Sequence, residues 1–121
     1  MVTHEHRVLT VRQPWASLII LGIKPVENRT WPTRHRGRLY IHAGLELDRQ
    51  AMELHEHRFD GEPPPLGAII GWVDLVDCVR DSTSRWADRG AWHWILSDPV
   101  ALRQPVPARG QMGLWTFGII D

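Results

Sequence analysis

Apolar positions fall along this chain in short blocks whose spacing keeps changing. Arg7–Val11, built around Val8 and Leu9, reads as a first strand. The next block, Trp15-Ala-Ser-Leu-Ile-Ile-Leu, is a short and strongly apolar helix. Pro14 suits its first position, where a missing N–H costs nothing, with Arg12 or Gln13 at the cap. Gly22 suits the stop, and Pro25 forbids continuation. Val26–Trp31 then reads as extended. Period two sets Glu27, Arg29 and Trp31 on one face, with Val26, Asn28 and Thr30 on the other.

Pro32–Arg36 is expected to be a loop. Gly37–Ala43 is a strand in which Leu39 and Ile41 oppose Arg38, Tyr40 and His42, and Gly44 is expected to break it. Leu47–Phe59 has helical spacing through Leu47, Ala51 and Leu54, with Asp48 suited to the first turn. Asp60–Pro65 is turn chemistry. Gly67–Val79 is a long apolar strand, and its Gly71 allows a bend or bulge. Asp74 and Asp77 point to opposite faces if period two holds. Asp81–Trp86 can cap and start a short helix. His93–Leu96, Val100–Val106 and Gln111–Ile120 complete a set of short strands. Short strands with interspersed short helices fit a small α+β barrel.

With 121 residues, the chain is expected to form one domain over 1–121. Lys+Arg and Asp+Glu each count 14, so the overall basic excess of a duplex-coating protein is missing. A local excess exists: Lys24, Arg29, Arg34, Arg36 and Arg38 stand against Glu27 alone within residues 24–38. The single cysteine, Cys78, builds neither a disulfide framework nor a cysteine zinc site, and is expected to be a small buried hydrophobe. No apolar run is long enough to cross a bilayer and no leader pattern opens the chain, so a cytoplasmic protein is expected. No cofactor is implied.

His-Glu-His-Arg occurs at 4–7 and again at 55–58 without wider similarity. Neither copy makes a good metal site, and both pairs are expected on a solvated surface.

Seven tryptophans exceed what so small a core needs, so one or two are expected to face a ligand. The densest chemistry lies between residues 10 and 44. Cations, one carboxylate and flat rings there suit a pocket for an anionic, ring-containing ligand. Arg12 and Arg29 can hold phosphate, and Lys24 can contact phosphate or pair with Glu27. Gln13 can read a base edge beside a helix N-terminus that favours anions, and Trp15 can stack. Glu27 can accept from a base, act as a general base, or tie the cations together. Trp31 and His42 can wall the same cleft, although a strand histidine also serves as a satisfied structural residue.

Three segments carry a resemblance. They are Thr10-Val-Arg-Gln-Pro-Trp-Ala-Ser-Leu-Ile, then Gly22-Ile-Lys24-Pro-Val-Glu27-Asn-Arg29-Thr-Trp31, then Arg36-Gly37 with Tyr40-Ile-His42-Ala43. Together they resemble the ASCH domain, whose Gly-x-Lys-x-x-Glu-x-Arg hallmark is present in full. The tail from Trp94 to Trp115 is similar to small prokaryotic members. The resemblance implies an α+β, PUA-like small β-barrel flanked by short α-helices, with a cleft between the first helix and the barrel. It implies single-stranded RNA, or a modified nucleoside or nucleotide, as ligand, and a role in RNA metabolism. The alternative it carries is a small hydrolase, an amidohydrolase acting on N4-acetylcytidine or a ribonuclease, with Lys24 and Glu27 as the catalytic pair. In the acetylcytidine-hydrolysing relatives a threonine stands where this chain has Glu27, so only Lys24 carries over from them.

Overall fold

The computed structural model describes residues 3–120, with side chains from 6 to 118. The order is β1 (Thr3–Gln13), α1 (Trp15–Ile20), β2 (Val26–Arg29), β3 (Gly37–Leu47), α2 (Arg49–His55), a 3₁₀ turn (Glu56–Arg58), β4 (Ala68–Val79), β5 (Trp92–Pro107) and β6 (Leu114–Ile120). The strands form one mixed sheet in the order β2-β5-β4-β3-β1-β6. Only β1 and β3 pair in parallel. A parallel pair needs a crossover, and α1 with β2 supplies it.

The fold class is α+β, as the alternation of short elements indicates. The closed barrel is corrected: among the described residues β2 and β6 are open edges that do not pair with each other. A side chain spans part of the gap instead. The Arg29 guanidinium on β2 donates to the Thr10 carbonyl of β1 at 2.8 Å. No helix among the described residues is long and apolar enough to cross a membrane.

Both faces of the central strands are buried, which is why β1 and β3 are apolar at successive positions. Leu9, Val11, Leu39, Ile41 and Ala43 join Val73, Leu75, Trp94 and Leu96 under α1, whose Ala16 and Ile19 complete that cluster. On the other face Val8, Tyr40, Ile69 and Trp115 pack together. His42 belongs to this second face and is 1% exposed.

Several boundaries differ from the sequence expectation. Pro14 is the N-cap of α1 and the helix begins at Trp15. Gly44 does not end β3, which runs on to Leu47. Residues 81–91 form a turn-rich loop without a helix. The two strands expected at 93–96 and 100–106 are one, because Asp98 takes a positive φ of 50° inside it and the ladder resumes at Val100. Cys78 is half-buried rather than buried. By contrast, Gly22 ends α1 with φ 79°, as its position suggested.

Gly71 is a forced glycine. A Cβ there would lie 2.3 Å from the Val100 carbonyl oxygen and 2.9 Å from Ile20 Cδ1. Backbone on one side and the helix on the other leave no room to yield. Gly71→Ala is therefore expected to lower unfolding stability by about 2–3 kcal/mol, read as an earlier urea midpoint at unchanged slope.

A basic cleft between the first helix and a clamped loop

Local structure first fixes Gln13. Its peptide bond to Pro14 is cis. Its side chain is fully buried and its amide is fully used: Oε1 accepts from Ser17 N at 2.9 Å, and Nε2 donates to Ser17 Oγ at 2.7 Å and to the Pro65 carbonyl at 2.9 Å. Gln13 thus holds the start of α1 and cannot read a base. The same bonds occupy the Ser17 N–H, one of the first-turn donors of α1.

Lys24 and Glu27 flank the entry to β2 and are both buried, at 5% and 7% exposure. Lys24 Nζ donates to the Val26 carbonyl and, at 3.1 Å, to Glu27 Oε1. Glu27 Oε2 receives Arg29 twice, from Nε at 3.0 Å and Nη2 at 2.9 Å. Period two on β2 makes this possible, because residues 27 and 29 share a face. The result is a cation–carboxylate–cation chain, with one cation on each oxygen.

These side chains form the floor of a cleft of about 500 Å³, with Arg12 and Trp15 on its rim. The opposite wall comes from the 81–91 loop through Arg85, Trp86 and Asp88. That loop is clamped at two places. Asn28 Nδ2 donates to the Trp86 carbonyl at 2.9 Å, while its Oδ1 accepts from Asp88 N at 2.8 Å. Buried His93 donates through Nε2 to the Asp88 carbonyl and accepts the Ser82 N–H at Nδ1. The chain reading missed Arg85, Asp88 and Asn28. Their only signal was the period-two partner of Glu27, since Asn28 points to the other face of β2.

The cleft carries a ladder of rings and charges. Lys24 Nζ lies 5.8 Å from the Trp15 ring centroid. His55 stands between Trp15 and Trp86, 5.7 Å from each. Arg85 covers Trp86 at 5.2 Å. His55 is accordingly not the solvated residue expected of its tetrapeptide, whereas His57 is exposed. His4 lies outside the described side chains. Burial first, then the positive charges of Arg58, His57 and Arg85, hold the His55 imidazole below its ordinary value of 6.5. No group of three or more metal-ligating side chains occurs among the described residues.

Of the eight residues singled out from sequence, Arg12, Trp15, Lys24, Glu27 and Arg29 meet in this cleft. Trp31 and His42 line an adjoining hollow instead. His42 is there as a structural residue: Nε2 donates to the Ala108 carbonyl, and Nδ1 accepts from the Thr10 hydroxyl, which itself accepts from Trp115 Nε1. The basic run 24–38 is split. Arg36 turns to the Thr33 and His35 carbonyls, and Arg38 lies over Trp72 on the other side of the sheet. Asp74 and Asp77 line neither hollow.

The ASCH domain family model matches residues 9–98, which carry every floor and wall residue of the cleft. The chain belongs to the ASCH domain family. Among its relatives is Activating signal cointegrator 1 of Homo sapiens, 46% identical, and the Mus musculus protein of the same name, 34% identical. Each alignment covers 88% of this chain but 21% of the relative, so the chain spans about a fifth of their length. Two crystal structures of an ASCH protein from Zymomonas mobilis, one of them a mutant, superpose with a TM-score of 0.54 at 18% identity. They cover 84% of this chain and 75% or 73% of the other chain, and they show the shared fold.

Removing the central carboxylate leaves two cations facing each other in a buried place. Glu27→Gln is therefore expected to cost about 3 kcal/mol in chemical denaturation. Lys24→Met, which leaves Glu27 paired to Arg29, is expected to cost clearly less. His55 generates a pH dependence. Its folded-state value is depressed, so the unfolded chain binds the proton more readily. Its contribution is fully present above pH 6.5 and is lost as pH falls through the folded value. NMR titration is expected to show His55 protonating below the ordinary value of 6.5, and His55→Gln to flatten the stability–pH curve below 6.5.

Proposed function

We propose that this ASCH domain binds single-stranded RNA or a modified nucleoside or nucleotide in the cleft, as part of RNA metabolism. The observation that carries the reading is the pairing of flat rings with paired cations in one concave place. Trp15 and Trp86 line the cleft on either side of His55, and the ring surface they leave toward it stacks on any base. Arg12 is exposed, and its ion pair to Glu46 is long at 3.9 Å, so its guanidinium is available to phosphate. Arg85 lies on the opposite wall. Glu27 holds Lys24 and Arg29 in place, one on each oxygen.

The hydrolytic alternative rests on Lys24 and Glu27 being in hydrogen-bond contact within the cleft. Their surroundings favour binding over proton transfer. Both Glu27 oxygens are already engaged by a cation, and Lys24 spends two of its three N–H bonds on Val26 and Glu27.

Fluorescence anisotropy with a labelled single-stranded RNA tests the reading. Affinity is expected to fall steeply with salt, because phosphate neutralisation releases counterions. Arg85→Ala is expected to weaken binding to all sequences alike and to reduce the salt slope by about one. Affinity flat across the salt series would count against phosphate contact. Incubation with acylated nucleosides and RNA decides the alternative: turnover lost in Lys24→Ala would establish hydrolysis.

A further inference from the structure

The adjoining hollow, about 640 Å³, is not a separate feature of the surface. Thr10, Arg12 and Arg29 line both it and the basic cleft, so the two share one ridge. Each is of a size that takes a single small ligand, roughly 300–1000 Å³. Beyond the ridge the charge balance changes. The cleft mixes Lys24, Arg12, Arg29 and Arg85 with Glu27, Asp48 and Asp88, whereas the hollow sets Arg12, Arg29 and Arg109 against Glu46 alone. Trp31 forms part of the hollow, held edge-on to Trp94 at 4.9 Å with its carbonyl accepting from Trp94 Nε1. Met112 on the far rim is 98% exposed.

Resting on the nucleic-acid reading of the cleft, we propose that the two hollows are consecutive subsites for one strand. A first base lies in the cleft against Trp15 and Trp86. The phosphodiester crosses the ridge at Arg12 and Arg29. The second nucleotide enters the adjoining hollow beside Trp31, with its phosphate toward Arg109. The orientation of Arg29 fits a bridging role. Nε and Nη2 are committed inward to Glu27 and Thr10, while Nη1 makes no hydrogen bond among the described residues. An alternating series of ring, cation, ring and cation is what a single strand offers a partner for. The ligand class is therefore an oligonucleotide of at least two residues rather than a free nucleoside.

Isothermal titration calorimetry with a nucleoside monophosphate, the dinucleotide and the trinucleotide of the same base tests this, in ribose and deoxyribose series that tell which sugar the strand carries. The dinucleotide is expected to bind on the order of tenfold tighter than the monophosphate in at least one series, as one added stacking contact and one phosphate contact allow. Arg109→Glu, an exposed position, is expected to bring the dinucleotide down to the monophosphate's affinity and to leave the monophosphate unchanged. Met112→Glu provides a second variant on the same rim, with the same expected direction. A monophosphate that binds as tightly as the dinucleotide would overturn the two-subsite inference and leave the cleft reading standing. Absence of binding by all three probes in both series would overturn both.

Discussion

A nearly buried carboxylate organises this domain. Glu27 sits where β2 begins and takes Lys24 on one oxygen and Arg29 on the other. Two cations this close would repel each other without it, and a lone carboxylate this deep would be costly to bury. Together the three are compensated. Through Arg29 the arrangement also reaches the Thr10 carbonyl, so an edge strand of four residues is tied to β1 near the opposite edge of the sheet. The family hallmark is thus a unit of structure as well as a unit of chemistry: its lysine, glutamate and arginine set the floor of the cleft and brace the open side of the sheet.

The wall facing that floor depends on β2 in a second way. Asn28 points to the opposite face from Glu27 and grips the 81–91 loop with both ends of its amide. His93 on the neighbouring β5 grips the same loop with both ring nitrogens. Four residues of strand therefore position groups on both sides of the cleft. Rings from α2, the start of α1 and the loop then close on one another through His55, which links an aromatic wall to a titratable group.

Much of this was legible in the residue pattern, and the misses have physical causes. Period two placed Glu27 and Arg29 on one face, and the Gly22 stop and the long apolar β4 with its bend at Gly71 followed from local chemistry. Sequence alone did not reveal closure. A run of short strands reads alike whether the first and last pair or stay apart, because edge pairing is a long-range outcome. The Gln13 amide is chemically suited to reading a base, and nothing local in the sequence says otherwise. Its partners, Ser17 and Pro65, show that burial had already claimed it, and one of them lies 52 residues away. Arg85 and Asp88 come from a segment whose composition suggested a helix, and only the clamps by Asn28 and His93 bring them to the cleft. Trp31 followed its period-two companions in sequence but leaves the strand at Arg29, so it turns into the neighbouring hollow.

The manner of attachment of the loop has a bearing on how such a domain can diversify. Asn28 and His93 hold it entirely by main-chain atoms, the carbonyl of residue 86, the carbonyl and amide of residue 88 and the amide of residue 82. The side chains of Arg85 and Asp88 take no part in these bonds, whereas Trp86 packs against His55. Residues 85 and 88 are therefore free to be exchanged, altering the chemistry of the wall, while the tether that keeps the wall in place remains the same.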